Sequence, residues 1–297
     1  MQKSREINQR NKLSLWLLNN PKINPHNNLF KMYTSCFRLM PDVIICGFHK
    51  TSTTSLHHYL IQHPNIIKPK RKEIGYFSTF FWRGEMWYKS HFPTKFSKIR
   101  KASNNETFLT LDSDPGCSYH PNSPKRVHDR LPNVKLIFVL RNPIDRAWSE
   151  YNQDLRRGWD PNISFEDKIK DDDILFENMI DKLKNVKRLG HEKYVLPLAH
   201  ISIGKYIIHI ENWLKYFPME QFLFLTTDEI NSNLNLALKK IYQFLQIPER
   251  NIPNLKRQNV GNYPKMDNCT RLKLIKYYKP YNKKLEELLN RELNWDN

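Results

Sequence analysis

Pro41-Asp42-Val43-Ile44-Ile45-Cys46-Gly47-Phe48-His49-Lys50-Thr51-Ser52-Thr53-Thr54-Ser55-Leu56 is a short apolar run that breaks at Gly47 into a lysine and five consecutive hydroxyl residues. A buried strand that ends at a glycine and feeds a helix points several backbone N–H groups at one spot. The positive end of the helix dipole favours an anion there. Lys50 adds charge and the hydroxyls add donors, so the stretch reads as a phosphate cradle. It departs from the nucleotide triphosphatase pattern Gly-x-x-x-x-Gly-Lys-Ser/Thr, because Lys50 follows Gly47 by three positions and no second glycine precedes it. A threonine-rich helix start is also an ordinary N-cap, so strand-loop-helix context is the test.

Working outward, short apolar or β-branched runs at Val43 to Cys46, Thr107 to Leu111, Lys135 to Leu140 and Phe222 to Thr226 predict strands. Helical patterns lie between and after them: Thr53 to Gln62, Pro124 to Arg130, Pro143 to Arg156, Ile203 to Tyr216, Leu234 to Leu245 and Cys269 to Leu289. Pro143 suits a first helical turn, and His63-Pro64 and Phe217-Pro218 act as stops. Strands alternating with helices predict an α/β fold with a central, mainly parallel sheet flanked by helices, its ligand site beyond the carboxyl ends of the strands. Residues 1–40 lack a clear period and read as an N-terminal extension ahead of a domain spanning residues 41–297.

Composition sets outer limits. The 297 residues are 39% hydrophobic, enough for one large core, and no apolar run reaches the roughly 18 residues a transmembrane helix needs. The formal charge of +18 implies a positive surface field that attracts anions, whether acidic polysaccharide, nucleic acid or an anionic membrane. Cys36, Cys46, Cys117 and Cys269 have no metal-ligand spacing, and Cys46 reads as a small core residue.

A second candidate segment is Lys135-Leu136-Ile137-Phe138-Val139-Leu140-Arg141-Asn142-Pro143-Ile144-Asp145-Arg146-Ala147-Trp148-Ser149-Glu150-Tyr151. Arg141 falls at a strand's carboxyl end and Ser149 about two turns into the next helix, so both can face one anion beside the first loop. A guanidinium offers phosphate a planar pair of donors. Taken alone, this segment is as compatible with a strand-end arginine beside a carboxylate and a serine on a solvated face.

Together the two segments resemble a family. Gly47-Phe48-His49-Lys50-Thr51-Ser52-Thr53-Thr54-Ser55-Leu56 is similar to the 5′-phosphosulfate loop of sulfotransferases, and Leu140-Arg141 through Tyr151 resembles their 3′-phosphate motif. The resemblance runs from about Pro41 to Trp295 and points to the branch that modifies glycosaminoglycans, similar to heparan sulfate N- and 3-O-sulfotransferases and N-acetylgalactosamine 4-sulfate 6-O-sulfotransferase. Lys72-Glu73-Ile74-Gly75-Tyr76-Phe77, Trp87-Tyr88, Phe92-Pro93, Trp213-Leu214 with Phe217-Pro218, Gly261-Asn262-Tyr263-Pro264 and Tyr278-Lys279-Pro280-Tyr281-Asn282 are its further matches.

The resemblance implies a P-loop-like three-layer fold and 3′-phosphoadenosine 5′-phosphosulfate as donor, with no metal. It implies Lys50 at the leaving oxygen, with Thr51, Ser52, Thr53, Thr54 and Ser55 around the 5′-phosphate. Arg141 and Ser149 would hold the 3′-phosphate, and Gly261, Asn262 and Tyr263 belong to a loop closing over the nucleotide. Glu73 is implied as general base toward a carbohydrate hydroxyl or amine, the acceptor being a glycosaminoglycan-like anionic polysaccharide rather than nucleic acid. His49, Trp82, Trp87 and Tyr88 are candidates for the acceptor side, although aromatic residues at such spacing also suit a core.

The chain departs from the family where Ser52 replaces the usual glycine, a position where a positive φ would strain it. The late loop lacks the family's basic residues around Gly261, leaving Arg257 or Lys265 as substitutes. Golgi-lumen relatives carry an N-terminal anchor, and no such apolar run is visible, so location stays open between the lumen and the cytoplasm. Two alternatives stand beside this expectation. One is a P-loop kinase or nucleotide triphosphatase, for which Asp112 is the only fair metal-binding carboxylate; the other is an inactive basic glycan-binding relative.

Overall fold

The computed structural model describes residues 29–101, 107–159, 161–184, 199–253 and 263–295. Its centre is a five-stranded, all-parallel sheet: β1 (Val43–Ile45), β2 (Ile66–Ile67), β3 (Leu109–Ser113), β4 (Lys135–Leu140) and β5 (Phe222–Thr226), in the order β2-β3-β1-β4-β5. The principal helices are α1 (Thr53–Leu60), α2 (Pro143–Arg156), α3 (Tyr206–Leu214), α4 (Leu234–Leu245) and α5 (Asn268–Leu289).

Alternation along the strands creates two buried faces. Ile44, Cys46, Leu136, Phe138 and Leu140 pack with Tyr206, Ile207, Ile210 and Trp213 of α3 and with Leu285 of α5. Val43, Ile45, Leu111, Ile137 and Val139 pack on the other face with Leu56, Tyr59 and Leu60 of α1 and Leu238, Ile241 and Leu245 of α4. A parallel sheet covered by helices on both faces buries its strands completely, which is why they read as nearly continuous apolar runs. The expected α/β three-layer architecture is therefore present. Among the described residues, no helix is long and apolar enough to cross a membrane.

Two strand expectations need correction. The two-residue edge strand β2 is too short to leave a periodic signal, and β3 runs two residues later than the apolar count suggested, pairing Asp112 with Ile44 and Ser113 with Ile45. Asp112 can occupy a central strand here because it is fully buried but satisfied: its carboxylate accepts from the Tyr88 hydroxyl at 2.6 Å and the Ser113 amide at 2.7 Å. The helices at Thr53, Pro143, Leu234 and Asn268 start within a residue of expectation. The third starts at Tyr206 rather than Ile203, because Ser202–Gly204 forms a separate 3-10 turn.

The strand order reverses around β1, so the loops after β1 and β4 leave the sheet side by side at its carboxyl edge, where open parallel sheets bind ligands. The late elements brace this edge. The Asn142 side chain caps α2 by accepting from the Ile144 amide at 3.0 Å and donates to the Trp295 carbonyl at 3.2 Å. A Cβ on Gly204 would meet the Tyr278 hydroxyl at 2.8 Å and Pro143 Cβ at 2.9 Å, so only glycine allows α5 to close on the start of α2.

Candidate active site

The β1–α1 loop is shaped by close approach and by strain. A Cβ on Gly47 would lie 2.4 Å from Thr53 Cγ2 and 3.1 Å from Val139 Cβ, so glycine is required by space alone. Phe48 is wholly buried, its ring 4.5 Å from Tyr206 and 5.7 Å from His209 between centroids, and it pins the loop to α3. The Thr51 hydroxyl, also buried, donates to the Phe48 carbonyl at 2.7 Å and closes the turn.

Lys50 (φ 69°) and Ser52 (φ 67°) both adopt the left-handed backbone region, and so does Glu73 (φ 56°). These are three of the six non-glycine residues with positive φ among the described residues. Ser52 thus accepts the conformation that the family's glycine would take freely, at a cost of about 1–2 kcal/mol. Strain of this kind persists where surrounding contacts over-determine it, and it concentrates at functional sites. Ser52 is also the N-cap of α1 and makes no side-chain capping hydrogen bond, so the amides of the first turn face the loop without a capping side chain.

Arg141, one residue past β4, donates from Nη1 to the Lys50 carbonyl at 3.1 Å and from Nη2 to the Tyr263 hydroxyl at 3.4 Å. Its own carbonyl accepts from the Tyr206 hydroxyl at 2.8 Å. Trp148 of α2 donates to the Pro264 carbonyl at 2.8 Å, holding the same late segment from the other side. One guanidinium therefore ties together the three segments singled out in the sequence. Ser149 is buried on α2, and among the described residues no direct hydrogen bond joins it to Arg141. Gly261, Asn262 and Arg257 lie outside the described residues, and Lys265 is exposed.

The Lys50 ammonium is pushed down to about 8 by burial and by the charge of Arg156, with Arg141 and Arg157 adding to the effect and Glu150 opposing it. Cations crowd this spot. Glu150 is itself held by Arg146 of α2, 2.5 Å away and completely buried, and Arg146 also donates to the His200 carbonyl. Burial raises the Glu150 carboxyl, but the Arg146 charge and hydrogen bond together with His200 and His49 outweigh it and keep Glu150 below its ordinary value, hence ionised. This buried pair beneath the loop had no signal in the sequence beyond an i,i+4 spacing.

Glu73 stands at the rim with nearly half its side chain exposed. It pairs with Lys72, and the same ammonium donates to the Thr54 hydroxyl at 3.0 Å, so Lys72 bridges Glu73 to the first turn of α1. Desolvation pushes the Glu73 carboxyl up, but the Lys72 charge and hydrogen bond hold it below the usual glutamate value. The partner that a merely structural Glu73 would have is thus present, and it also carries Glu73 to the loop. Sequence alone allows either Arg71 or Lys72 as the partner of Glu73; the contact of Lys72 with Thr54, 18 residues away, carries no mark in the chain. Desolvation lowers His49, against the opposing pull of Glu150 and Glu73, so it is neutral at pH 7.

The aromatic candidates divide. Trp87 and Tyr88 are core residues, 3% and 0% exposed, because the helix that carries them turns that face inward onto Phe80, Tyr76 and Phe92. Trp82 is half-buried. Asp112, the metal-ligand candidate of the kinase alternative, is sealed inside β3 as described, and among the described residues no group of three or more His, Cys, Asp or Glu side chains is arranged to hold a metal ion.

A family model described as a sulfotransferase domain matches residues 40–292. The chain is 26% identical over 321 residues to the membrane-associated sulfotransferase kil1 of Dictyostelium discoideum, covering 87% of this chain and 67% of that one. It is 24% identical over 287 residues to heparan sulfate glucosamine 3-O-sulfotransferase 6 of Mus musculus, covering 87% and 75%. Against the bifunctional heparan sulfate N-deacetylase/N-sulfotransferase 3 of Homo sapiens it is 26% identical over 295 residues, covering 90% of this chain but spanning only 32% of that protein. The crystal structure of a sulfotransferase from Alicyclobacillus acidocaldarius shares the fold, with a TM-score of 0.65 at 22% identity over 87% of this chain and 100% of that one. With a matching domain that covers most of the chain, the protein belongs to the sulfotransferase family.

Proposed function

We propose that the protein moves a sulfuryl group from 3′-phosphoadenosine 5′-phosphosulfate to a hydroxyl or amine of a glycosaminoglycan-like carbohydrate. The observation that carries this reading is the hydrogen bond from Arg141 to the Lys50 carbonyl, which couples a strand-end guanidinium to a phosphate-type loop. A donor phosphorylated at two separate places needs two anion sites at a fixed distance. The residues present fit such a donor: Gly47 leaves space that a Cβ would fill, the first turn of α1 has no side-chain cap, and Lys50 is destabilised by cations that an anion would relieve.

The donor supplies a sulfuryl group whose bond to the 5′-phosphate oxygen breaks as the acceptor attacks sulfur in line. Lys50 and the amides of Thr51 to Ser55 are assigned to the negative charge that builds on the leaving phosphate, and Arg141 and Ser149 to the 3′-phosphate. Tyr263, bonded to Arg141, is assigned to the loop over the nucleotide. Glu73, kept ionised by Lys72, takes the proton that the acceptor oxygen or nitrogen loses. Most of the rate gain is then positioning and electrostatics, as in phosphoryl transfer. The heparan sulfate enzymes among the relatives support an acidic sugar as acceptor, as does the charge of +18.

Radiolabelled sulfate transfer to a panel of desulfated glycosaminoglycans tests the proposal, together with calorimetric binding of 3′-phosphoadenosine 5′-phosphate. Lys50→Ala should abolish transfer. Glu73→Gln should lower kcat while leaving nucleotide affinity nearly unchanged. No transfer to any sugar combined with no nucleotide binding overturns the reading; nucleotide binding without transfer favours an inactive glycan-binding relative.

A further inference from the structure

Four arginines surround the loop that carries Glu73, and two of them differ from the others. Arg126 donates to the carbonyls of Phe77 and Ser78 at 3.2 and 3.3 Å, and Arg130 lies 3.9 Å from Glu85; both also cover the Phe81 ring. These two brace the loop. Arg71 and Arg83 are half-buried, yet among the described residues neither has an ion pair. Among the described residues Arg71 Nη1 and Arg83 Nε are shielded from solvent and meet no acceptor; Arg130 Nε makes no hydrogen bond either, but has the Glu85 carboxylate 3.9 Å away. Leaving such a donor unmade costs about 1–3 kcal/mol or more for a charged group.

The backbone brings together the segments that carry the two arginines. The Lys70 amide donates to the His91 carbonyl at 2.9 Å, which lays the stretch before Glu73 along the end of the helix Gly84–Lys89. The amides of Thr79 and Phe80 both donate to the Gly75 carbonyl, at 3.0 and 2.8 Å, and fold the following segment back so that Arg83 returns toward Arg71. Arg83 is then held by rings: its guanidinium carbon lies 4.9 Å from the Trp82 centroid, 5.1 Å from Trp87 and 5.6 Å from Phe80. Rings on its faces fix the plane of the fork without consuming its N–H groups. Burial lowers the guanidinium of Arg71 and of Arg83; for Arg83 the charge of Arg71 adds to it, while for Arg71 the charges of Glu73 and Asp112 oppose it. Glu73, two residues from Arg71, is engaged by Lys72, and Glu85, two residues from Arg83, is engaged by Lys89.

We infer that Arg71 and Arg83 form an oxyanion subsite for the acceptor, seating the carboxylate or sulfate ester of a sugar unit next to the one whose nucleophile reaches Glu73. The inference rests on the sulfotransferase reading of Glu73 and adds what that reading leaves open: which side chains seat the negative group of the acceptor. Trp82 is then a positioning residue, setting the plane of Arg83. Planar forks suit both carboxylate and sulfate, since each offers two coplanar oxygens to paired N–H donors.

The test compares wild type with Arg71→Gln, Arg83→Gln and the double variant on three oligosaccharides of equal length. One carries uronate carboxylates and no sulfate, one is sulfated with its carboxyls reduced, and one is neutral. The ratio of kcat/KM for a charged over the neutral acceptor should fall at least tenfold in the double variant, through KM rather than kcat, with the affinity for 3′-phosphoadenosine 5′-phosphate unchanged. The charged acceptor that loses discrimination identifies the group the subsite takes. Arg83→Lys, which keeps charge without the fork, should recover only part of the ratio. Equilibrium binding of the same three oligosaccharides without donor reads the subsite independently of turnover, so an inactive wild type would count against the proposed reaction and not against the subsite. Unaltered discrimination by the double variant in both binding and turnover overturns the inference.

Discussion

Arg141 hands one N–H to the backbone carbonyl of Lys50 across 3.1 Å, joining the end of β4 to the strained loop after β1. That carbonyl belongs to a residue with φ of 69°, so the guanidinium helps to hold Lys50 in a conformation it would otherwise leave. The two motifs are thus one mechanical unit, and perturbing either should disturb the other.

Replacing Arg141 by alanine removes the charged donor proposed for the nucleotide and the support of Lys50. Hydrogen bonds to charged groups are worth about 1.5–3 kcal/mol, so nucleotide affinity should drop by roughly 10–100-fold. Calorimetric titration with 3′-phosphoadenosine 5′-phosphate checks this, and unchanged affinity would remove Arg141 from the nucleotide site.

Ser52→Gly should stabilise the protein. Relief of the left-handed backbone outweighs the extra freedom glycine has when unfolded, for a net gain of up to about 1 kcal/mol and a Tm rise of about 2–4 °C. Ser52→Val should do the opposite, because a β-branched side chain is least tolerant of positive φ. A glycine variant that melts below wild type would contradict the strain account.

Nucleotide affinity should depend on pH through Lys50. In the free protein its ammonium is lowered to about 8, and a bound polyanion raises it, so binding takes up a proton at pH above about 8. Affinity should be flat below that value and should then fall by up to tenfold per pH unit. Binding isotherms at several pH values from 6.5 to 9.5 measure the slope, and Lys50→Ala should flatten it.

Asp112 and Asp114 lie two residues apart, fully buried, at the carboxyl end of β3. Burial drives their carboxyls up to about 6 and about 7, and for Asp114 the charge of Asp112 adds to it. Carboxyls raised on folding bind more protons in the native state, so their contribution to stability is largest below about pH 4 and is lost as pH rises toward 7. Asp114→Asn keeps an acceptor for the Ser78 hydroxyl, which lies 3.0 Å from the carboxylate, and removes the second charge. Its Tm relative to wild type should therefore rise between pH 5 and pH 8, by an amount of order 2 kcal/mol in stability. A difference that does not change with pH would show that the pair is already neutral or already paired.

Much of this fold was legible in the chain because its strands are buried on both faces. Val43 to Ile45, Lys135 to Leu140 and Phe222 to Thr226 are apolar at nearly every position, and such runs stand out between helices. The edge strand Ile66–Ile67 was not legible, since two residues have no period. The shifted end of β3 was not legible either, because Asp112 is tolerated inside the sheet with the help of the Tyr88 hydroxyl, a partner 24 residues away.

The same division runs through the candidate site. The sequence by itself determined the types of group on offer: a glycine-started hydroxyl loop with Lys50, an arginine at a strand end, and a glutamate in a basic segment. Only the tertiary structure decided which of them meet. It set Arg141 against the Lys50 carbonyl and Lys72 between Thr54 and Glu73, buried Arg146 with Glu150 under the loop, and, among the described residues, left Arg71 Nη1 and Arg83 Nε without a hydrogen-bond partner. Local sequence records backbone preference and hydrophobic period, which act over a few residues. The partner of a charged side chain is chosen by distance in the folded chain, where residues 91 positions apart come within a hydrogen bond's length.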